Sequence, residues 1–192
     1  MQAKPVIYPT AQEYLTVERV ALDKHEYYEG HIVEMPGASQ GHNHIVANLI
    51  AEIGPYLKGK DFAIFPSDFR VSTPNRDTYV YPDVTIVSGK PRLQDDHFDT
   101  LLNPSVVIEV MSTYSKERDM GYKFFRYQLI PSVKEYILID SRSYFVQVAR
   151  RIDEDNLWKF DQIKNNMEAS LFIDTIQYAV QLKDIYYRVS FE

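Results

Sequence analysis

Two of the most apolar stretches of this chain each carry an acid in their interior. The run VVIEVM (Val106–Met111) holds Glu109 among Val106, Val107, Ile108, Val110 and Met111. The run TYVYPDVTIV (residues 78–87) holds Asp83 between Pro82 and Val84. β-Branched and aromatic runs of this length read as strands. An ionised carboxylate within one is costly unless it is hydrogen-bonded, paired or bound to a cation. For each acid alone, a strand end in water or an arginine partner is an equally good solution. If both face one site, they repel by about 4 kcal/mol at ~4 Å and an effective dielectric of ~20. A hard cation such as Mg²⁺ or Mn²⁺, which takes oxygen ligands, would remove that repulsion.

The rest of the chain supplies the frame. Thr10 and Glu13 form a capping box ahead of Tyr14, Leu15 and Val17, predicting a short helix to about Val20. EYYEGHIVEM (residues 26–35) turns about Gly30 and reads as a hairpin or bent strand pair. Ile45, Leu49, Ile53 and Leu57 recur every four residues, one face of a helix over residues 41–58 that Gly54-Pro55 is expected to kink or end early. DFAIFPSDFRV, TYVYPDVTIV and NPSVVIEVMS then read as three strand-length runs, with residues 88–102 a connecting loop. Residues 115–129 return to a helical pattern and EYILID to a strand. SYFVQVARR and LWKFDQI form a strand pair about the acidic turn 153–156, residues 170–180 a further pair, and LKDIYYRV a terminal helix. With no repeat and no linker in 192 residues, the order predicts one α/β domain, residues 1–192, with a mixed sheet.

Composition excludes several chemistries. There is no cysteine, hence no disulfide, thiolate nucleophile or thiolate metal site. No apolar run reaches the ~18–20 residues of a membrane span and the start lacks a signal-peptide core, so a soluble, cytoplasmic chain without a membrane partner is expected. His42 and His44, two apart, do not share a helical face as a zinc pair would. No GxSxG, GxGxxG or Walker-type segment is present. The net charge of −6 means that a polyanion partner would need a local basic patch or a metal.

A lysine two residues after Glu109 would complete a metal-nuclease strand, but Met111 stands there. In SKERDMGYKFFRYQL, Asp119, Lys123 and Arg126 form a polar stripe beside an apolar face of Met120, Phe124 and Tyr127. If that apolar face packs on the sheet, Lys123 lies at its border and reaches toward Glu109. From spacing alone, an ordinary exposed lysine on an amphipathic helix is the better reading.

YPDV, then IEVMS, then RDxxxKFxxY resembles the Uma family of bacterial proteins, classed with endonucleases of the PD-(D/E)XK, restriction-endonuclease-like superfamily. EYYEGHIVEM, the HN…N helix start, SDFRV, IPSVKEYILID and LKDIYYRVSFE extend the resemblance over nearly the whole chain. It implies a restriction-endonuclease-like α/β core, a mixed sheet flanked by helices. It implies Asp83 and Glu109 as metal ligands with the Val110 backbone carbonyl as a third, and Lys123 as the catalytic lysine moved from strand to helix. Glu26, His42 and Asp68 match further family positions. The implied activity is Mg²⁺-dependent (or Mn²⁺-dependent) phosphodiester hydrolysis, with DNA the expected nucleic acid. Lys116, Arg118 and Arg126 are candidate phosphate contacts, and Tyr79, Tyr81, Tyr122 and Tyr127 either stack on bases or fill the core. A homodimer through the Tyr-rich C-terminal segment is expected, since cutting a duplex needs two sites. The rival reading, favoured by the −6 charge, is a catalytically inactive binding or interaction module that keeps the fold.

Overall fold

The structure, a computed structural model, describes residues 9–112, 118–152 and 157–191. Helix α1 (Ala11–Glu18) begins with the capping box: the Thr10 hydroxyl accepts from the Glu13 N–H at 3.2 Å, and the Glu13 carboxylate accepts from the Thr10 N–H at 2.7 Å. Strands β1 (His25–Tyr28) and β2 (His31–Glu34) form an antiparallel hairpin. Both turn residues, Glu29 (φ 49°) and Gly30 (φ 95°), are left-handed, the two-residue loop that matches strand twist. Helix α2 (Gln40–Leu57) is capped by Ser39 and buries Ile45, Leu49, Ile53 and Leu57. Contrary to expectation, Gly54-Pro55 does not end it. Pro55 falls in the last turn, where its missing N–H removes one bond and little helix remains to be displaced.

Two runs that read as single strands are each broken in two. DFAIFPSDFRV becomes β3 (Phe62–Pro66) and β4 (Arg70–Ser72), and TYVYPDVTIV becomes β5 (Thr78–Val80) and β6 (Val84–Ser88). The halves join different sheets; Pro66 is the last residue of β3 and Pro82 lies within the second break, and neither can donate to a ladder. The expected loop 88–102 contains a two-residue strand, β7 (Thr100–Leu101), parallel to β4. The remaining strands are β8 (Val106–Met111), β9 (Glu135–Asp140), β10 (Phe145–Arg151), β11 (Trp158–Lys164), β12 (Ser170–Ile173) and β13 (Tyr178–Gln181). Their sheets run β2-β1-β5-β4-β7 and β11-β10-β9-β8-β6-β3, with β12-β13 a separate ribbon. Parallel β8–β9 beside antiparallel β6–β8 makes the larger sheet mixed.

Between β8 and β9 runs a π-helical turn, Arg118–Lys123, continued by α3 (Phe124–Gln128). The expected C-terminal helix is a single turn, α4 (Leu182–Ile185). The first residues of the expected 115–129 helix and the acidic turn 153–156 lie outside the described residues. Alternation along β8 divides the core: Val106, Ile108 and Val110 pack with α2, while Val107 and Met111 pack with Tyr127, Ile130 and the smaller sheet's Val71 and Leu101. Among the described residues, no helix is long and apolar enough to cross a membrane.

Candidate active site

The β6–β8 register pairs Val84 with Ile108, and one step further it sets Asp83 across from Glu109, at the end of β6. Asp83 is anchored rather than left in solvent. Its Oδ2 accepts from the Val110 N–H at 2.8 Å and lies 3.0 Å from His42 Nε2, on the first turn of α2. In a strand, a residue's N–H and C=O leave the same edge, so the Val110 carbonyl faces the side where Asp83 lies. Glu109 is 2% exposed. Its Oε1 accepts from the Tyr127 hydroxyl at 2.9 Å and from Lys123 Nζ at 3.1 Å.

Lys123 is the centre of the cluster. Its side chain is 3% exposed, and Nζ lies 2.9 Å from Glu26 Oε1 and 3.7 Å from Asp119 Oδ1. Glu26 is itself fully buried on β1; the Tyr28 hydroxyl donates to its Oε2 at 2.7 Å and the Tyr81 N–H to its Oε1 at 3.3 Å. Two sheets and one helix thus meet at a single ammonium. The expected helix face is corrected here. Met120 is 40% exposed, while Asp119, Lys123 and Tyr127 turn inward. A π-turn bonds i to i+5 and so widens the turn, rotating the buried stripe away from the one α-helical spacing gives.

Burial pushes the Glu109 carboxyl well above its usual range; Lys123 opposes this, and Asp119, Asp83 and Glu26 add to it. Burial alone would lower Lys123, but Glu109 and Glu26 hold its ammonium above the ordinary lysine value. Burial likewise raises Tyr127, with Glu109 next in effect, so its hydroxyl keeps its proton and serves as a donor. The cluster opens onto a cleft of about 810 Å³ lined by His42, Asp83, Glu109, Val110, Asp119 and Lys123.

Other expected site residues fall elsewhere. Asp68, in the β3–β4 turn, points outward with its side chain 85% exposed and pairs with Lys24 at 2.8 Å. Arg126 is buried against Glu29, with Nη1 3.0 Å from Oε1, and donates to the Tyr122 hydroxyl, so it is committed within the fold. Lys116 lies outside the described residues, as does the side chain of Arg118. Of the tyrosines considered for stacking, Tyr79 is 1% exposed in the core and Tyr81 and Tyr127 serve the acid cluster. The sequence marks Asp119 only as part of a polar stripe. Its place four residues before Lys123 was the available signal; Tyr28 carried no signal beyond alternation with Glu26 on β1.

The residues suit a hard divalent cation in kind. Glu26, Glu109 and Asp119 stand around one buried ammonium, and Asp83 lies next to Glu109 across the β6–β8 pair, held by His42 and the Val110 N–H. Among the described residues, no three His, Asp or Glu side chains are grouped to hold a metal by themselves. A cation at Asp83 and Glu109 would therefore complete its shell with the Val110 carbonyl and water, the usual habit of Mg²⁺.

A family model described as "Uma2: Putative restriction endonuclease" matches residues 11–182. Two proteins of Synechocystis sp., each described as an uncharacterized protein, are similar. The one designated sll1609 is 34% identical over 154 residues, 80% of this chain and 86% of its own length. The other, slr1290, is 32% identical over 143 residues, 74% of each chain. A crystal structure described as "a putative nuclease belonging to DUF820", from Anabaena variabilis, shares the fold with a TM-score of 0.76 at 17% identity. That likeness covers 93% of this chain and 97% of the other.

Proposed function

The chain belongs to the Uma2 family, whose description is "Putative restriction endonuclease", and on that premise we propose that it is a metal-dependent endonuclease that hydrolyses the phosphodiester bonds of DNA. The observation that carries this reading is the burial of Glu26, Glu109 and Asp119 around Lys123, beside Asp83 and at the floor of a cleft. Perturbed ionisable groups cluster at functional sites, and these are buried together at a cleft, which supports the reading. Well-packed apolar side chains often serve stability as well as a buried ion cluster does, so stability is a weak reason for this one.

Asp83, Glu109 and the Val110 carbonyl would hold Mg²⁺ or Mn²⁺, which when bound polarises a phosphate and lowers the pKa of water. The chain's own groups do the rest. Val110 N–H and His42 fix the Asp83 carboxylate, so that its second oxygen is directed without rearrangement. Tyr127 orients Glu109 from behind. Glu26 keeps Lys123 in place when Glu109 is engaged elsewhere, since it holds Nζ at 2.9 Å independently. The ammonium then faces the cleft as a fixed positive charge for the phosphate oxygens as charge develops on them. Cutting both strands of a duplex needs two such sites, which a homodimer supplies.

The test is calorimetric titration of Mg²⁺ and Mn²⁺ into the wild type and into Asp83→Ala/Glu109→Ala, followed by plasmid nicking. Binding and nicking by the wild type, both lost in the double variant, is the expected result. No binding to either protein makes the acids structural and leaves an inactive nuclease-fold module.

A further inference from the structure

The larger sheet ends in an edge that the fold leaves open. Strand β11 pairs with β10 on one side, and among the described residues no strand lies on the other. An open edge invites a further strand, and proteins blunt their edges by shortness, proline or cover. The other edges follow that rule. β7 has two residues and β2 four, and β3 ends at Pro66 with Phe62 and Ile64 packed against the core that α2 covers. β11 runs for seven residues, Trp158–Lys164, without proline and without a bulge in its pairing to β10.

Two hydrogen bonds at the ends of β11 fix which residues address the open edge. The Ile152 N–H donates to the Leu157 carbonyl and the Asn165 N–H to the Tyr144 carbonyl, both at 2.8 Å. Main-chain groups along an antiparallel strand point alternately to either side, so the odd-numbered residues from 157 to 165 face β10. Phe160, Gln162 and Lys164 therefore direct their N–H and C=O groups outward. Phe160 is 51% exposed, its ring 5.5 Å from that of Phe124. On the opposite face of the strand stand Lys159 and Asp161, with side chains 65% and 46% exposed and 3.5 Å apart. Asp161 also pairs at 2.8 Å with Arg150, whose guanidinium it shares with Glu135 and Asp174. Three carboxylates on one guanidinium leave Asp161 a ready acceptor for a further cation.

Charge decides what can lie along this edge. A lysine on an edge wards off a second strand when it meets another lysine. An antiparallel copy of β11 centred on Lys159 sets Lys159 against itself, and one centred on Asp161 sets Asp161 against itself. Centred on Phe160, the same strand sets Phe160 opposite Phe160 and each Lys159 opposite the partner's Asp161. The two phenylalanines then exchange two N–H···O=C bonds, and the charges form the closer, non-hydrogen-bonded pair. There the Cα atoms stand about 4.5 Å apart, against about 6.7 Å for Lys159 and the Asp161 of its own strand. The edge is thus complementary to itself in a register that two-fold symmetry closes.

We infer that β11 joins β11 of a second copy about a two-fold axis at Phe160, making one continuous sheet across a homodimer. The contact moves from the C-terminal segment, whose Tyr186 is 3% exposed and bonded to the carbonyls of Asp140 and Ser143, to the sheet edge. β9 and β10 stand between this edge and Glu109 on β8, so the pairing keeps the acid cluster off the joint. The inference rests on the edge and not on the endonuclease reading, and it supplies the two sites that reading calls for.

The experiment is sedimentation velocity over a range of protein concentrations, on the wild type, K159E, D161K, an equimolar mixture of those two, and Q162P. The wild type is expected to reach the mass of two chains. K159E and D161K each bring like charges together twice and are expected to raise the dissociation constant about tenfold or more. Their mixture is expected to recover the dimer, since each chain offers the charge that the other lacks. Q162P keeps every bond to β10, because that N–H faces outward, and puts a ring where the partner strand must lie; it is expected to sediment as one folded chain. K159E and Q162P decide the matter if D161K melts early. A wild type of one-chain mass at every concentration overturns the pairing, as do variants that dimerise like the wild type or a mixture of folded variants that stays monomeric. Mg²⁺ calorimetry on the same samples separates the two readings, and K159E is expected to bind as the wild type does. A wild type that dimerises without binding Mg²⁺ overturns the endonuclease reading alone; one that binds Mg²⁺ as a monomer overturns the pairing alone.

Discussion

Replacing Lys123 by methionine keeps the length of the side chain and deletes the ammonium that pairs with Glu26, Glu109 and Asp119. At the observed separations of 2.9, 3.1 and 3.7 Å, Coulomb's law with an effective dielectric of ~20 gives gross attractions of about 6, 5 and 4.5 kcal/mol. Desolvation offsets most of that sum, and breaking a buried ion pair by removing one partner costs about 3–5 kcal/mol net. For a chain of this size that is a fall in Tm of roughly 6–20 °C. The loss must depend on pH. Burial already raises the Glu109 carboxyl, and without the ammonium it binds its proton still more tightly in the folded than in the unfolded state. Its stabilising contribution is then complete below the unfolded carboxylate pKa of about 4.3 and is lost as pH rises through the raised folded value. Thermal melts followed by circular dichroism should therefore show K123M far below the wild type at pH 8 and close to it near pH 4.5. Mn²⁺ should recover part of the difference at pH 8. An equal deficit at both pH values would refute the electrostatic argument and leave only lost packing, and no deficit at pH 8 would show that the acids have another counter-charge.

Tyr127→Phe removes a buried hydroxyl that donates to Glu109 at 2.9 Å and should cost about 1–3 kcal/mol in urea unfolding, because the carboxylate oxygen is left short of a donor. Asp99 lies among Arg19, Arg70 and Thr100. Burial would raise its carboxyl, but the Arg19 and Arg70 contacts outweigh that and hold it below the usual range. Its contribution is present above the unfolded value near pH 3.9 and lost as pH falls through the lower folded one. D99N should accordingly flatten the acid limb of a urea-midpoint profile, and an unchanged limb would contradict the assignment. Leu49→Ala, at a fully buried position of α2, should cost about 2–5 kcal/mol by urea titration; a cost below ~1 kcal/mol would mean that α2 does not cover the sheet as described.

Some of this was legible from the residues in order. The Thr10–Glu13 box, the hairpin about Gly30, and the stripe Ile45–Leu49–Ile53–Leu57 depend on neighbours within one turn, and they appear where the pattern put them. The acids inside apolar runs at Asp83 and Glu109 stood out for the same local reason. The splitting of two runs at Ser67 and at Tyr81 did not. β-Propensity reports that a residue suits a pleated surface, and it is silent on which sheet supplies the neighbouring strand. The proline in each run was the one available hint. Residues 88–102 lacked strand character because β7 is two residues long and is held by pairing with β4 rather than by its own composition.

The sequence by itself determined the periodicities, the caps, and the presence of carboxylates where water is scarce. Each of these follows from interactions across a few residues, whose geometry covalent structure fixes. Only the tertiary structure decided what the carboxylates share. Glu26, Glu109 and Lys123 are far apart along the chain, yet a hairpin, a central strand and a π-turn bring them within 3.1 Å at one ammonium. It also decided that Asp68 faces water and that Arg126 is taken by Glu29. Spacing along a helix or strand names the face a side chain occupies. Which charge meets it there is set by how separate elements pack, and that packing answers to the burial of the apolar surface as a whole.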